Sequence, residues 1–377
     1  MLSTRSRDAR FVVLVWVVSR AWLALCAYAG HRMHPFLAPV RGGYSGVSNW
    51  WLNVWTTYDS TYFIEIAQRG YRPLTTAFFP LYPLLLRPFG PDENDIALAG
   101  ILISNVAFLI ALAILLQLGK AELGEHAARR STLVLAFFPS AIYSMAVYTD
   151  ALFLMLALLS FLAAREKRWA AAGLIAGLAA LTRNAGPVLT AALAVEWVVQ
   201  RRRVGQSLMS PSVVFVGVPV LVFVAVQLYF SARFGRVTLL AAQASFGRAP
   251  SMPWTPIIRD VMDVVRSRHG ISLVTLLNVG ASCAVFVIAW IYRSRLAARN
   301  LMLMCGVMLM QLSYSRTWPP YTISSLRYVL STPAFADGLA LMSVTPRSRV
   351  VQLGFAIIGV LTCGTMALLF GMKAFIS

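Results

Sequence analysis

Charge is what this sequence has least of. Only 12% of its residues are charged, where soluble domains carry roughly 25%, and 59% are apolar. Mean hydropathy is +0.70. A chain this apolar cannot cover its core with polar surface in water, which excludes a soluble domain. Cysteine is sparse too. Cys26, Cys283, Cys305 and Cys363 all fall inside apolar runs with no spacing suited to a metal or a disulfide, so they are read as small packing residues. His31, His34, His126 and His269 are dispersed, and no metal and no cofactor is assigned. There is no low-complexity linker and no convincing repeat. Ala77-Phe78-Phe79-Pro80 recurs as Ala136-Phe137-Phe138-Pro139, which is too short to count. Residues 1–377 are therefore expected to form a single transmembrane domain.

What is present is a series of long apolar runs. A membrane-crossing helix takes about 20 residues. Hydropathy predicts an all-α polytopic membrane protein with about eleven spans, near 11–29, 96–118, 131–147, 149–164, 169–185, 187–200, 211–230, 271–292, 299–314, 323–343 and 350–371. The net charge of +19 suggests nucleic acid until its placement is considered. With a cytoplasmic N-terminus, the inward segments carry Arg5, Arg7, Arg10; Lys120, Arg129, Arg130; Arg165, Lys167, Arg168; Arg201, Arg202, Arg203; Arg293, Arg295, Arg299; and Arg347, Arg349. That is the positive-inside pattern, and no soluble module interleaves basic and base-stacking aromatic residues, so nucleic acid is excluded as a partner. The first span follows a basic stretch without a clear small-residue cleavage site and reads as an uncleaved signal anchor in the cell membrane. Inward loops are short, whereas two outward loops, about 30–95 and 231–270, are long. Long loops in compact proteins are usually functional, so the chemistry is expected on the extracytoplasmic side.

Most of the information lies in Thr57-Tyr58-Asp59-Ser60-Thr61-Tyr62-Phe63-Ile64-Glu65-Ile66-Ala67-Gln68-Arg69-Gly70-Tyr71. Tyr62, Phe63, Ile66 and Ala67 share a helical face, and Gly70 is a natural stop. The stretch predicts a short amphipathic helix on the membrane surface. Asp59 at its start has two readings: a helix N-cap or a catalytic base. Residues 77–88 carry two prolines three apart, Pro80 and Pro83, which an uninterrupted span does not tolerate, and read as a re-entrant or interfacial element. Eight acids face outward in this topology: Asp59, Glu65, Asp92, Glu93, Asp95, Asp150, Asp260 and Asp263. Asp150, at an outward turn between two spans, is either a polar turn residue or part of a site. Arg20 lies mid-span, far from either end, and is expected to pair within the bundle or to meet a lipid head group.

Tyr58-Asp59-Ser60, Tyr62, Ile66-Ala67, Gly70-Tyr71 and Ala77-Phe78-Phe79-Pro80-Leu81-Tyr82-Pro83 together resemble the PIG-V-type mannosyltransferase family, whose pattern is Trp-Asp, an aromatic, Ile-Ala, Gly-Tyr and Ala-Phe-Phe-Pro-x-x-Pro. Further along, Pro139 with Tyr148-Thr149-Asp150-Ala151-Leu152-Phe153, Thr182-Arg183-Asn184-Ala185-Gly186, Phe234-Gly235, Gln243 through Arg248, and Ser325-Leu326-Arg327-Tyr328 match family stretches in the same order. The resemblance covers residues 11–345. Tyr58 stands where the family has Trp, Asp150 where it has Glu, and Leu74-Thr75-Thr76 where an acid often precedes Ala-Phe-Phe-Pro.

The resemblance implies a GT-C-type glycosyltransferase that moves mannose from a polyprenyl-phosphate donor to a lipid-linked or other extracytoplasmic acceptor, and the Arg- and Ala-rich composition suggests a bacterial homologue. Displacement at the anomeric carbon needs a base for the acceptor hydroxyl and cations for the leaving phosphate. On that reading Asp59 is the base. Arg183, Arg327 and Arg248 are donor-phosphate ligands, competing with a bland role as snorkelling cations. Asp150, Tyr62 and Tyr328 complete the expected donor phosphate and sugar contacts. Gly173 and Gly177, upstream of Arg183, form a close-packing motif. The competing readings are a non-catalytic binder or transporter of lipid-linked sugars, for which paired repeats with broken mid-membrane helices would speak, and a structural subunit of a cell-envelope complex.

Overall fold

A computed structural model describes residues 2–33, 46–235, 239–266, 273–342 and 349–374. The expectations for His34, Arg41, Arg347 and His269, and for those parts of the two long loops, lie outside the described residues. Helix makes up 78% of the structure, and among the described residues the strand pairing is confined to one two-stranded ribbon, so the all-α class holds. Among the described residues, four helical stretches are long and apolar enough to cross a membrane: Ser6–Met33, Glu93–Glu122, Pro211–Phe234 and Leu273–Tyr292. Trp169–Ala180 and Pro333–Met342 are shorter apolar helices, and the apolar stretch Ala356–Gly371 is the later part of a 23-residue helix, Arg349–Gly371.

In chain order the helices are α1 (Leu2–Met33), α2 (Trp50–Asn53), α3 (Asp59–Arg69), α4 (Leu81–Leu86), α5 (Glu93–Glu122), α6 (Glu125–Ala136), α7 (Asp150–Arg165), α8 (Trp169–Ala180), α9 (Gly186–Arg203), α10 (Val218–Phe234), α11 (Leu239–Ser245), α12 (Thr255–Arg266), α13 (Leu273–Tyr292), α14 (Ala298–Ser313), α15 (Ser325–Leu330), α16 (Pro333–Met342) and α17 (Arg349–Gly371). Two expected spans are interrupted. The run over 131–147 stops at Ala136 and resumes as a 3-10 turn, Ala141–Ser144, because Pro139 has no N–H to continue the helix. The run over 323–343 divides at Ser331–Thr332, since a residue before proline, here Pro333, is driven out of the helical region. Likewise α8 ends at Ala180, five residues short of its expected end, and Pro187 opens α9 at a position where proline is well placed. Arg183 therefore stands in the turn between two helices.

The chain forms two compact units. The first comprises Met1–Gly70, Pro80–Leu162 and Ala336–Ile376. Its axis is α1 against α17. Small residues let the two backbones meet: a Cβ on Gly30 would strike the Leu368 carbonyl, and one on Gly371 the Ala27 carbonyl. Trp22 donates to the Val360 carbonyl at 3.1 Å. Trp22 thus faces Val360, and Ala27 faces Gly371, so the two helices run parallel. Arg20 is buried within this unit, the first of its two expected alternatives. Its Nη1 donates to Ser144 Oγ at 3.0 Å, and its guanidinium lies 4.5 Å over the Phe108 ring. Near the start of α1, Asp8 accepts from Lys120 at 2.6 Å and Arg129 at 3.3 Å.

The second unit comprises chiefly Tyr71–Phe79 and Ala163–Phe335. Gly173 and Gly177 work as the close-packing pair: a Cβ on the first would strike the Phe215 carbonyl, and one on the second would come within 2.9 Å of Val218. Arg299, one of the basic residues expected at the inward ends of spans, is buried, with Nη1 3.0 Å from Glu196. Gln200 donates to the other Glu196 oxygen at 2.7 Å. Removing one partner of such a pair costs about 3–5 kcal/mol, because the other charge is left stranded. The ribbon pairs β1 (Arg248–Pro250) with β2 (Tyr314–Arg316) antiparallel, Arg248 opposite Arg316.

Candidate active site

In the first unit the expected site residues begin with Asp59, the first residue of α3. The apolar face of α3 consists of Phe63, Ile64, Ile66 and Ala67, all buried. It packs on protein, with Phe63 edge-on to Tyr82 at 5.4 Å, rather than on lipid as its amphipathic pattern suggested. Tyr62 belongs at the margin of that face. It is half-buried and one turn from Asp59, a spacing at which helix side chains are neighbours. Asp59 is half-buried and is the first helical residue, while the cap position is taken by Tyr58. Its carboxylate therefore sits where the helix dipole favours negative charge.

The backbone before Asp59 is held from several sides. Tyr58 adopts φ 58° and ψ −117°, a conformation that costs a non-glycine residue of order 1–3 kcal/mol. Its hydroxyl donates to the Lys373 carbonyl at 2.8 Å, and its ring meets Phe370 edge-on at 6.3 Å. Burial holds that hydroxyl above the ordinary phenol range, so it remains a donor. Tyr148 OH donates to the Thr57 carbonyl at 2.9 Å, and Val147 N–H to the Trp55 carbonyl at 3.2 Å. These bonds lash Trp55–Thr57 to Val147–Tyr148, so the segments leading into Asp59 and Asp150 run side by side. Asp150 is buried as the first residue of α7, not exposed in a polar turn. Tyr82, beside Asp150, bonds to Ser104 and to the Gly100 carbonyl.

In the second unit the structure gathers three of the expected phosphate and sugar contacts around α15. Arg183 lies 4.5 Å over the Tyr328 ring and donates to Ser331 Oγ at 2.7 Å. Arg327 is on the same six-residue helix. The two arginines are only 7% and 8% exposed, which separates them from snorkelling cations, whose heads reach water. Arg248, in β1, donates to Gln311 Oε1 at 3.1 Å and to the Tyr314 carbonyl at 3.3 Å. Gln311 in turn donates to the Ile323 carbonyl at 2.6 Å, so Arg248 is linked to the turn that precedes α15.

Sequence reasoning passed over several of these groups. Lys373 and Gln311 carry no local signal, and Tyr148, although it opens the Tyr148–Phe153 stretch of the resemblance, gives no sign along the chain of its bond to Thr57, 91 positions away. Asp337, inside an apolar run, is buried and accepts from Ser131 Oγ at 2.6 Å. Among the described residues, no three His, Cys, Asp or Glu side chains gather as metal ligands would.

Residues 42–234, just over half of the chain, match the family described as Mannosyltransferase (PIG-V). Among solved structures, the fold is similar to that of ArnT from Cupriavidus metallidurans bound to undecaprenyl phosphate. The two share 16% identity with a TM-score of 0.51, over 95% of this chain and 76% of that one. A fainter likeness, at 13% identity and a TM-score of 0.43, is to the oligosaccharyltransferase AglB from Archaeoglobus fulgidus in complex with an inhibitory peptide and a dolichol-phosphate. It takes in 95% of this chain, which spans 56% of the length of that protein. No curated protein matches the sequence.

Proposed function

Since the chain belongs to the PIG-V mannosyltransferase family and is a membrane glycosyltransferase, we propose that it transfers mannose from a polyprenyl-phosphate donor to a lipid-linked or glycolipid acceptor. The observation that carries this reading is the half-buried Asp59 carboxylate, behind a strained residue that is bonded at both its side chain and its preceding carbonyl. In the reaction the acceptor hydroxyl attacks the anomeric carbon. Its oxygen forms the new glycosidic bond as the bond to the phosphate oxygen breaks. Asp59 takes the hydroxyl proton, and the polyprenyl phosphate leaves with its charge met by Arg183 and Arg327. Arg248, Asp150, Tyr62 and Tyr328 serve the donor phosphate and sugar. A second carboxylate acting as nucleophile is not required, unlike in retaining glycosidases. Incubating the purified protein with labelled polyprenyl-phosphate mannose and membrane lipid extract should move label into a new lipid or protein product. Label that stays on the donor with every acceptor fraction would refute the reading.

The same proposal includes a single transmembrane domain with about eleven crossings, a cytoplasmic N-terminus and an outward-facing site. Parallel packing of α1 and α17 supports an odd number of crossings in all. Cysteines introduced beside Arg41 and Arg248 are expected to react with an impermeant thiol reagent on intact cells, and one beside Arg202 to stay unlabelled until the cells are opened. The reverse pattern would invert the topology.

A further inference from the structure

The second long loop contains a helix that is inside out by the standards of a soluble protein. On α12, Ile258, Val261, Met262 and Val265 recur at i, i+3, i+4 and i+7, and all four are exposed, Val265 at 79%. Met252 and Trp254, just upstream, are exposed as well. The opposite side carries the buried pair Pro256 and Asp260. A surface helix of a soluble protein turns its apolar stripe inward. This one presents the stripe outward and a carboxylate inward. Exposed apolar surface of this kind requires an apolar neighbour. In a membrane protein, with Arg259 and Arg266 on the same helix to meet phosphate head groups, that neighbour is the lipid surface.

The inward carboxylate is fully engaged. Asp260 Oδ1 accepts from Tyr321 N–H at 2.8 Å, and Oδ2 from Thr322 N–H at 2.7 Å and Thr322 Oγ1 at 2.5 Å. Arg259 lies 5.4 Å over the Tyr321 ring. Immediately downstream, Gln311 holds the Ile323 carbonyl at 2.6 Å, and Asn278 Oδ1 accepts from Leu326 N–H at 2.9 Å. Between them Ser324 takes φ 70°, a left-handed turn that aims the chain into α15. The backbone of 321–326 is thus bonded to side chains at four residues just before Arg327 and Tyr328.

We infer that α12 is seated in the membrane surface and that Asp260, through the 321–324 turn, is the positioning residue that sets α15 to receive the donor's phosphate. The inference rests on the reading that Arg327 and Arg183 hold that phosphate. It makes donor affinity depend on a carboxylate that touches no donor atom.

The test uses the full chain in lipid nanodiscs, with undecaprenyl phosphate as the probe. Arg327→Ala and Asp260→Asn should each weaken its binding by about tenfold or more, since charge-assisted hydrogen bonds are lost in both. Thr322→Val, which removes one of the three bonds to the carboxylate, should weaken it less, with the melting temperature close to wild type. Wild-type affinity in Asp260→Asn and Thr322→Val, with Arg327→Ala weakened, would overturn the positioning role and leave the phosphate reading standing. Wild-type affinity in all three would overturn both. Should Asp260→Asn fail to fold, Thr322→Val alone decides. For the seat of α12, a fluorophore on Val265→Cys, in a chain whose four native cysteines are replaced by alanine, should be quenched by spin labels on lipid chains. Quenching by aqueous iodide instead would overturn the membrane contact.

Discussion

Asp59→Asn is expected to yield a folded, inserted protein that transfers no sugar. The substitution keeps the shape of the side chain and removes its ability to take a proton. Because Tyr58 holds the cap position, the substitution falls on the first helical residue, where asparagine keeps an oxygen that can accept hydrogen bonds. It forfeits the favourable interaction of a carboxylate with the helix N-terminus, about 0.3–1 kcal/mol, which a stable protein tolerates. A general base contributes roughly 10²–10⁴-fold to rate, far more than that small loss of stability. Asp59→Glu should be poor as well, since misplacing a catalytic group by about an ångström can cost about 10²-fold. Initial transfer rates from labelled donor, measured on variants of equal melting temperature, decide the matter. Near-normal turnover in the asparagine variant would make Asp59 structural and move the search to Asp150, whose segment is bonded alongside, or to Glu65.

Arg327→Ala and Arg183→Ala should raise the KM for the donor while leaving that for the acceptor nearly unchanged. A charge-assisted hydrogen bond contributes about 1.5–3 kcal/mol, which corresponds to roughly 10- to 150-fold in affinity. Lysine should restore only part of this, because it keeps the charge but not the planar fork that grips two phosphate oxygens. Arg183→Lys should recover less than Arg327→Lys, since Arg183 also stacks on Tyr328 and bonds Ser331. Donor KM values within twofold of wild type in both alanine variants would return these arginines to a packing role.

The helical class and membrane residence were legible because they follow from averages: few charges, long apolar runs and basic residues gathered in alternate loops. Interruptions were harder. Pro139 and Pro333 are plain in the sequence, but a hydropathy window sums over them, so a broken helix and a continuous one score alike. Asp59 was legible because its neighbours along the chain carry the pattern. Its supports were not, because Tyr148 acts on Thr57 across 91 positions and nothing periodic marks the relation. In the sequence Asp260 is one more outward acid, yet it bonds the backbone N–H groups of Tyr321 and Thr322, and any residue supplies a backbone N–H. Arg299 is a similar case: its place among the inward basic residues is plain in the sequence, but its pairing with Glu196, 103 positions away, is not.

The bond from Tyr58 to Lys373 also orders events during biosynthesis. The two residues are 315 positions apart, and ribosomes add about 5–20 residues per second. The acid is therefore made roughly 15 to 60 seconds before its anchor exists. Throughout that interval the strained turn at Tyr58 lacks one of the contacts that hold it, and α1 waits without its parallel neighbour. A nascent chain stalled before α17 would carry every expected catalytic and phosphate-binding residue and still lack an aligned base, so activity would begin with the late arrival of the helix that packs against the first.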